Sequence, residues 1–307
     1  MLMSNPDKRS SRMPFEKLSS YAVLMRPVGW VPFLFPLVFG LIDSGTFSLN
    51  LGLAYLLVVI YGPLLLGSIY ILNFYSDIEV DRITTIKKDV MMSKQPFVTG
   101  KIRPSEGLLF ATLLLVSGLV LSFMINLQVF LLSLASAIVG ILYSLPPRLK
   151  DLPFLDIVTN SFSAGFICYT SGWCASRSLV TIPVLPIAWL TSLIASTYLL
   201  TVIIDYEPDK KTGLRTTATI LGVRRSAALS AIIYCISMIS YASVATSDAK
   251  LHYLLPLPFL LLSPYGYYKV LKAPTPEKAY KLGKLAVEAC VVVLLLLLLI
   301  SPILLID

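Results

Sequence analysis

Two stretches of this 307-residue chain combine polar residue types at spacings that could do chemistry. One is Asn73-Phe-Tyr-Ser-Asp77-Ile-Glu-Val-Asp81, and the other is Asp205-Tyr-Glu-Pro-Asp209. Residues four apart share a face of a helix. The spacing therefore predicts Asn73, Asp77 and Asp81 on one helical face and Asp205 and Asp209 on another, with Glu79 and Glu207 pointing elsewhere. Carboxylates stacked in this way repel one another, and both sets lie where a long apolar run ends, which adds a desolvation cost. A divalent cation offsets both penalties. Asp and Asn oxygens without imidazole or thiolate favour Mg²⁺. Mg²⁺ usually takes one or two carboxylates and fills its octahedron with water and phosphate oxygens. Two facing acidic ledges would thus suit a diphosphate bridged by Mg²⁺. Each ledge is followed by a basic loop. Lys210, Lys211 and Arg215 are candidates to bind phosphate oxygens, although the inner face of a membrane protein carries lysines for other reasons. Asp77 and Asp205 lie 128 residues apart, and the shared order of ledge, glycine-containing basic loop and apolar run suggests a weak internal repeat.

The elements that must position these ledges are transmembrane helices. Hydrophobic residues make up 56% of the chain and charged residues only 14%, well below the roughly 25% charged residues of soluble domains. Mean hydropathy is +0.81. This composition excludes a soluble domain, a disordered chain and a nucleic-acid partner. A crossing helix needs about 20 mostly apolar residues. Nine such runs are predicted, at 22–42, 52–76, 105–125, 128–145, 155–175, 184–204, 226–246, 252–271 and 285–306. The expectation is an all-α, polytopic protein: a cytosolic tail over residues 1–21, then a single transmembrane domain over 22–307. The tail has no apolar stretch ending in a small-residue cleavage site, so no cleaved signal peptide is expected.

Charge fixes the expected orientation. With the N-terminus inside, 23 of the 25 Lys and Arg residues fall on inner segments, and only Arg177 and Lys250 fall outside. This is the cytosolic bias of multi-pass proteins, and it puts the N-terminus and both acidic ledges on the cytosolic side of the cell membrane. About 27 residues separate Asp77 from Ser105, and about 20 separate Asp205 from Ser226. Loops of such length usually act as lids or binding loops.

These residues resemble the UbiA superfamily of intramembrane prenyltransferases. Its N-x-x-x-D-x-x-x-D motif matches Asn73, Asp77 and Asp81, and its D-x-x-x-D motif matches Asp205 and Asp209. Arg26-Pro27-Val-Gly-Trp30 resembles the family's opening motif. Gln95-Pro-Phe-Val-Thr-Gly-Lys-Ile102 and Tyr143-Ser-Leu-Pro-Pro-Arg-Leu-Lys150 resemble two further stretches. The likeness runs from about residue 24 to 225. Phe74 and Gln95 depart from the common pattern, and the segment between Asp81 and Pro96 is longer than usual. The resemblance implies nine helices around a central cavity capped by cytosolic loops. It also implies transfer of a prenyl group from a polyprenyl diphosphate donor to a lipophilic or aromatic acceptor, with release of diphosphate. Asn73, Asp77, Asp81, Asp205 and Asp209 would hold Mg²⁺, and the four aspartates would act in catalysis. Lys150, Lys210 and Lys211 would stabilise the departing diphosphate. Tyr143 and Ser144 match positions near the acceptor, and Arg26 would bind phosphate or acceptor or serve equally well as an anchor at the inner face.

A competing class is an ion-coupled transporter, since intramembrane acids often line ion paths. However, the acids here gather at one face rather than at mid-span. A CDP-alcohol phosphotransferase would need an Asp-Gly, Ala-Arg motif that neither ledge has. Asp156 and Asn160 form another i, i+4 polar pair, near the start of a run; they either support the site residues from behind or reach to the interface, and the second reading is preferred. Lys284 and Glu288 are read as a helix-end ion pair. Cys168, Cys174, Cys235 and Cys290 have no metal-ligand spacing and are read as small hydrophobes. His252 is the only histidine, which argues against a His-based metal site or a Ser-His-Asp triad.

Overall fold

The structure, a computed structural model, describes residues 7–83, 95–247 and 250–304. Every regular element among the described residues is helical. Apart from four-residue and shorter helical turns, in chain order these are α1 (Asp7–Met25), α2 (Val31–Asp43), α3 (Leu51–Ser76), α4 (Ile78–Ile83), α5 (Pro104–Ile125) and α6 (Leu127–Ser144). They are followed by α7 (155–173), α8 (Val184–Ile204), α9 (Tyr206–Thr212), α10 (Thr217–Leu221), α11 (Val223–Ser247), α12 (Leu257–Lys272) and α13 (Pro276–Leu304).

Among the described residues, seven helical stretches are long and apolar enough to cross a membrane. The remaining two of the nine expected runs are also helical but do not meet that measure. α12 has 16 residues, and α7 is diluted by Ser161, Ser163, Gly165, Thr170, Ser171 and Gly172. The first stretch begins earlier than expected, at Glu16, so the region read as a tail is largely the helix α1. α1 stops before Pro27, which disfavours helical geometry in the residue it follows. Arg26 there takes a left-handed conformation at φ 48°.

Helix packing relies on small residues and on internal polar bonds, because lipid offers helices no hydrophobic reason to associate. α2 and α7 touch backbone to backbone. A Cβ placed on Gly40 would lie 2.1 Å from the Tyr169 carbonyl oxygen, and one on Gly172 would lie 2.2 Å from that of Leu37. At the end of the bundle away from the ledges, the Asp43 carboxylate is almost fully buried. It accepts hydrogen bonds from Tyr169 (2.8 Å) and Tyr253 (2.5 Å) and sits 2.9 Å from His252 Nε2. The lone histidine thus belongs to a clamp that ties α2, α7 and the turn before α12 together. Phe39, Trp189 and Tyr253 pack beneath it, with Phe39 edge-on to Trp189 at 5.2 Å.

Gly40→Ala is expected to lower the thermal unfolding midpoint of the detergent-purified protein, because overpacking costs about 1–3 kcal/mol. Gly52→Ala, whose Cβ would meet nothing closer than 3.5 Å, should leave the midpoint unchanged. Equal midpoints for Gly40→Ala and the parent chain would contradict the α2–α7 contact.

Candidate active site

Both acidic ledges form where a membrane helix breaks. Asp77 follows the end of α3 with φ −101° and ψ 4°, and Asp205 follows the end of α8 with φ −85° and ψ 2°. Each is succeeded at once by a short second helix, α4 or α9. Backbone bonds carry the i, i+4 register through the break. The Asp77 amide donates to Asn73 (3.1 Å) and the Asp81 amide to Asp77 (2.8 Å); likewise the Asp205 amide donates to Thr201 (3.2 Å) and the Asp209 amide to Asp205 (2.9 Å). The single continuous helix expected for each ledge is therefore a bent pair, with one aspartate at the bend and the next a turn further on. The two ends share one design although the chain between them is long.

The ledges converge. Asn73, Asp77, Asp81, Asp205 and Asp209 line a single cavity of about 620 Å³, together with Arg26, Tyr143 and Lys150. Asp77 is gripped by cations from the α6–α7 loop. Lys150 Nζ donates to both carboxylate oxygens at 2.7 and 2.6 Å, and Arg148 donates to Oδ1 at 3.0 Å. Arg148 also donates to the Ser76 carbonyl (3.2 Å) and to Asp151 (2.5 Å), so the loop is pinned to the last turn of α3. Burial works against the Arg148 proton, but Asp151 and then Asp77 outweigh it and raise the guanidinium pKa above its ordinary value. Arg148 is a permanent cation at this edge. The sequence singled out Lys150 but not Arg148; only the Tyr143–Lys150 motif hinted at it.

The remaining expected residues divide. Tyr143 lines the cavity and its hydroxyl pairs with Tyr198 at 2.7 Å. Ser144 is fully buried behind the wall and accepts from the Asn73 amide at 3.3 Å, fixing that side chain. Arg26 stands at the cavity wall over the Tyr70 ring, 5.8 Å from its centroid. Its turn is held by Trp30 Nε1 donating to the Met25 carbonyl and Tyr70 OH donating to that of Gly29, each at 2.8 Å. Lys210, Lys211 and Arg215 are exposed and do not line the cavity; Lys210 lies 5.6 Å over the Tyr206 ring. Glu79 and Glu207 are exposed outside it as well. Lys87, Lys88 and Lys94 of the first basic loop lie outside the described residues.

Of the two readings of Asp156, the preferred one is corrected. Asp156 does not reach to the interface. It is fully buried and accepts from the backbone amides of Ile157 (2.8 Å) and Thr217 (2.9 Å) and from the Thr217 hydroxyl (2.5 Å). A carboxylate is more stable among directed donors here than at an interface where it would still be partly dehydrated. Its helical neighbour Asn160 turns to the cavity wall. The Lys284–Glu288 pair forms at 3.7 Å on an exposed face.

The donor set fits Mg²⁺. Five carboxylates and two side-chain amides line the cavity, and no histidine or cysteine does. Among the described residues no three acidic, histidine or cysteine side chains are grouped closely enough to cage an ion unaided.

The family model for the UbiA prenyltransferase family matches residues 31–287. Digeranylgeranylglyceryl phosphate synthase from Saccharolobus solfataricus is 25% identical over 271 residues, covering 86% of this chain and 90% of that protein. Lycopene elongase/hydratase from Halobacterium salinarum is 30% identical over 230 residues, covering 72% and 78%. A UbiA homologue from Archaeoglobus fulgidus, solved bound to GPP and Mg²⁺, matches the fold with a TM-score of 0.72 at 25% identity, over 90% of this chain and 99% of that one. The family match includes both ledges and most of the residues that line the cavity they share, and the chain belongs to the UbiA prenyltransferase family.

Proposed function

We propose that this multi-pass membrane enzyme transfers the prenyl group of a polyprenyl diphosphate to a lipid-soluble or aromatic acceptor, releasing diphosphate at the cavity between Asp77 and Asp209. The observation that carries this is the convergence of the two distant ledges on one cavity. A homologue that binds GPP and Mg²⁺ supports the donor class. An ion path would need acids along the span, whereas the acids that line this cavity sit at one end of it.

Asn73, Asp77, Asp81, Asp205 and Asp209 would hold Mg²⁺, which when bound supplies positive charge against the donor's diphosphate. Lys150 and Arg148 face the same anion. As the allylic carbon–oxygen bond breaks, its electron pair moves to the diphosphate, and these cations gain attraction as that charge grows. Their present partner, Asp77, keeps them oriented before substrate arrives. Lys210 and Lys211 reach the diphosphate in this scheme only if α9 turns inward. The prenyl carbon is left electron-poor. Phe33, Tyr70, Tyr143 and Tyr198 line the cavity and offer ring faces to it. The surrounding apolar helices exclude the water that would quench it. Ser144 holds Asn73 in place, while Tyr143, paired with Tyr198, and Arg26 border the acceptor. The 23-to-2 split of basic residues supports a cytosolic side for the ledges and the N-terminus.

Three outcomes are expected. Asp77→Ala and Asp209→Ala should abolish Mg²⁺-dependent diphosphate release from a prenyl diphosphate in the presence of host lipid extract, while each variant keeps its elution volume in detergent; full turnover in either would refute the roles assigned. Lys150→Ala should lower kcat by about 10²-fold, the usual loss for one preorganised donor to a developing anion, and an unchanged kcat would remove Lys150 from the chemistry. In spheroplasts, a single cysteine at Gly213 on a cysteine-free background should resist an impermeant maleimide that modifies one at Val180; the opposite pattern would invert the topology.

A further inference from the structure

We propose that Asp156, on α7, is a positioning residue for the second ledge: it anchors the start of α10 and thereby holds Thr216 against Asp209. This rests on the prenyltransferase reading above and adds to it a residue outside both acidic motifs. Asp156 has no solvent exposure. A carboxylate in that state is costly unless its lone pairs are satisfied. Three donors satisfy it. Two of them, the Thr217 backbone amide at 2.9 Å and the Thr217 hydroxyl at 2.5 Å, come from 61 residues further along the chain.

The geometry is that of a helix cap supplied by another helix. α10 begins at Thr217, and the residue before it, Thr216, makes no side-chain cap of its own. Asp156 provides the acceptor and the negative charge that a helix N-terminus favours. The Thr217 hydroxyl is used in both senses. It donates to Asp156 and accepts from the Phe154 amide at 2.7 Å. Phe154 sits at φ 65°, a conformation a bulky residue rarely adopts, so the turn leading into α7 is locked to the same point. One residue earlier, the buried Thr216 donates to Asp209 Oδ2 at 3.4 Å. The Leu214 amide donates to the Asp209 carbonyl at 2.9 Å. The loop that returns from the second ledge is therefore nailed to α7 at one end and touches the ledge carboxylate at the other. Partners that orient a metal-binding side chain typically carry 10–100-fold of metal affinity.

The test uses full-length protein in detergent, saturated with geranyl thiolodiphosphate, a donor analogue that does not ionise readily, and titrated with Mg²⁺ by calorimetry. Thr216→Val is expected to weaken Mg²⁺ binding about 10–100-fold, and Thr216→Ser to restore it. Asp156→Ala should weaken it similarly, and the double variant Asp156→Ala/Thr216→Val should be no weaker than the worse single, since both interrupt one path. Asp43→Asn, which breaks the buried carboxylate clamp at the other end of the bundle, should lower the thermal midpoint yet leave Mg²⁺ affinity as in the parent. Parent-like affinity in Thr216→Val and Asp156→Ala, or a loss that merely tracks the thermal midpoint as it falls in Asp43→Asn, would overturn the proposal and leave the prenyltransferase reading standing. Failure of the parent chain to bind Mg²⁺ with the analogue would overturn both.

Discussion

The arrangement depends on one electrostatic constraint: carboxylates gathered at the rim of an apolar bundle must be countered by positive charge. Water cannot do this well at such a boundary, so the protein and its ligand must. At Asp77 the protein does it directly, with Lys150 and Arg148 drawn from the loop between α6 and α7. That contact explains why the α6–α7 loop is packed down on the end of α3 and why Arg148 also bonds the Ser76 carbonyl. The same attraction that steadies the ledge is available to a diphosphate and its accompanying ions. The fold thus keeps its cations beside the place where negative charge will arrive.

The second ledge is built to the same backbone plan, with a break at an aspartate and a short helix after it, but its described support is of a different kind. Hydroxyls and amides of the returning loop hold Asp209, and a buried carboxylate on α7 holds that loop. A bend rather than a straight helix serves both ledges. It ends the apolar span at the middle of the motif, so that one aspartate lies at the rim and the other a turn beyond, where both can face the cavity.

Much of this was legible from residue types and spacing. The ledges stood out because Asn73, Asp77, Asp81, Asp205 and Asp209 recur at four-residue intervals next to apolar runs, and charge sorting gave an orientation without any structural information. What remained hidden depends on contacts between residues far apart in the chain. Arg148 looks like any inner-face cation until the fold brings it to Asp77, 71 residues away. Asp156 and Asn160 repeat the i, i+4 pattern, but spacing alone does not say which way a face turns, and the partner of Asp156 is 61 residues distant. The bends were invisible because Asp tolerates both helix and turn. Among the described residues, a length-and-hydropathy measure finds seven of the nine expected runs for a related reason. α7 trades leucines for serines and glycines where it packs against α2 and the cavity, so its composition understates its place in the bundle.

The central claim is that both ledges grip one diphosphate. The most direct measurement is an experimental structure of the protein with geranyl thiolodiphosphate and Mg²⁺. The account predicts Mg²⁺ ions bridging a single diphosphate, with ligands from Asp77 and Asp81 on one side, Asp205 and Asp209 on the other, and Lys150 within hydrogen-bonding distance of a phosphate oxygen. A diphosphate bound by one ledge alone, or seated away from the cavity between them, would contradict it.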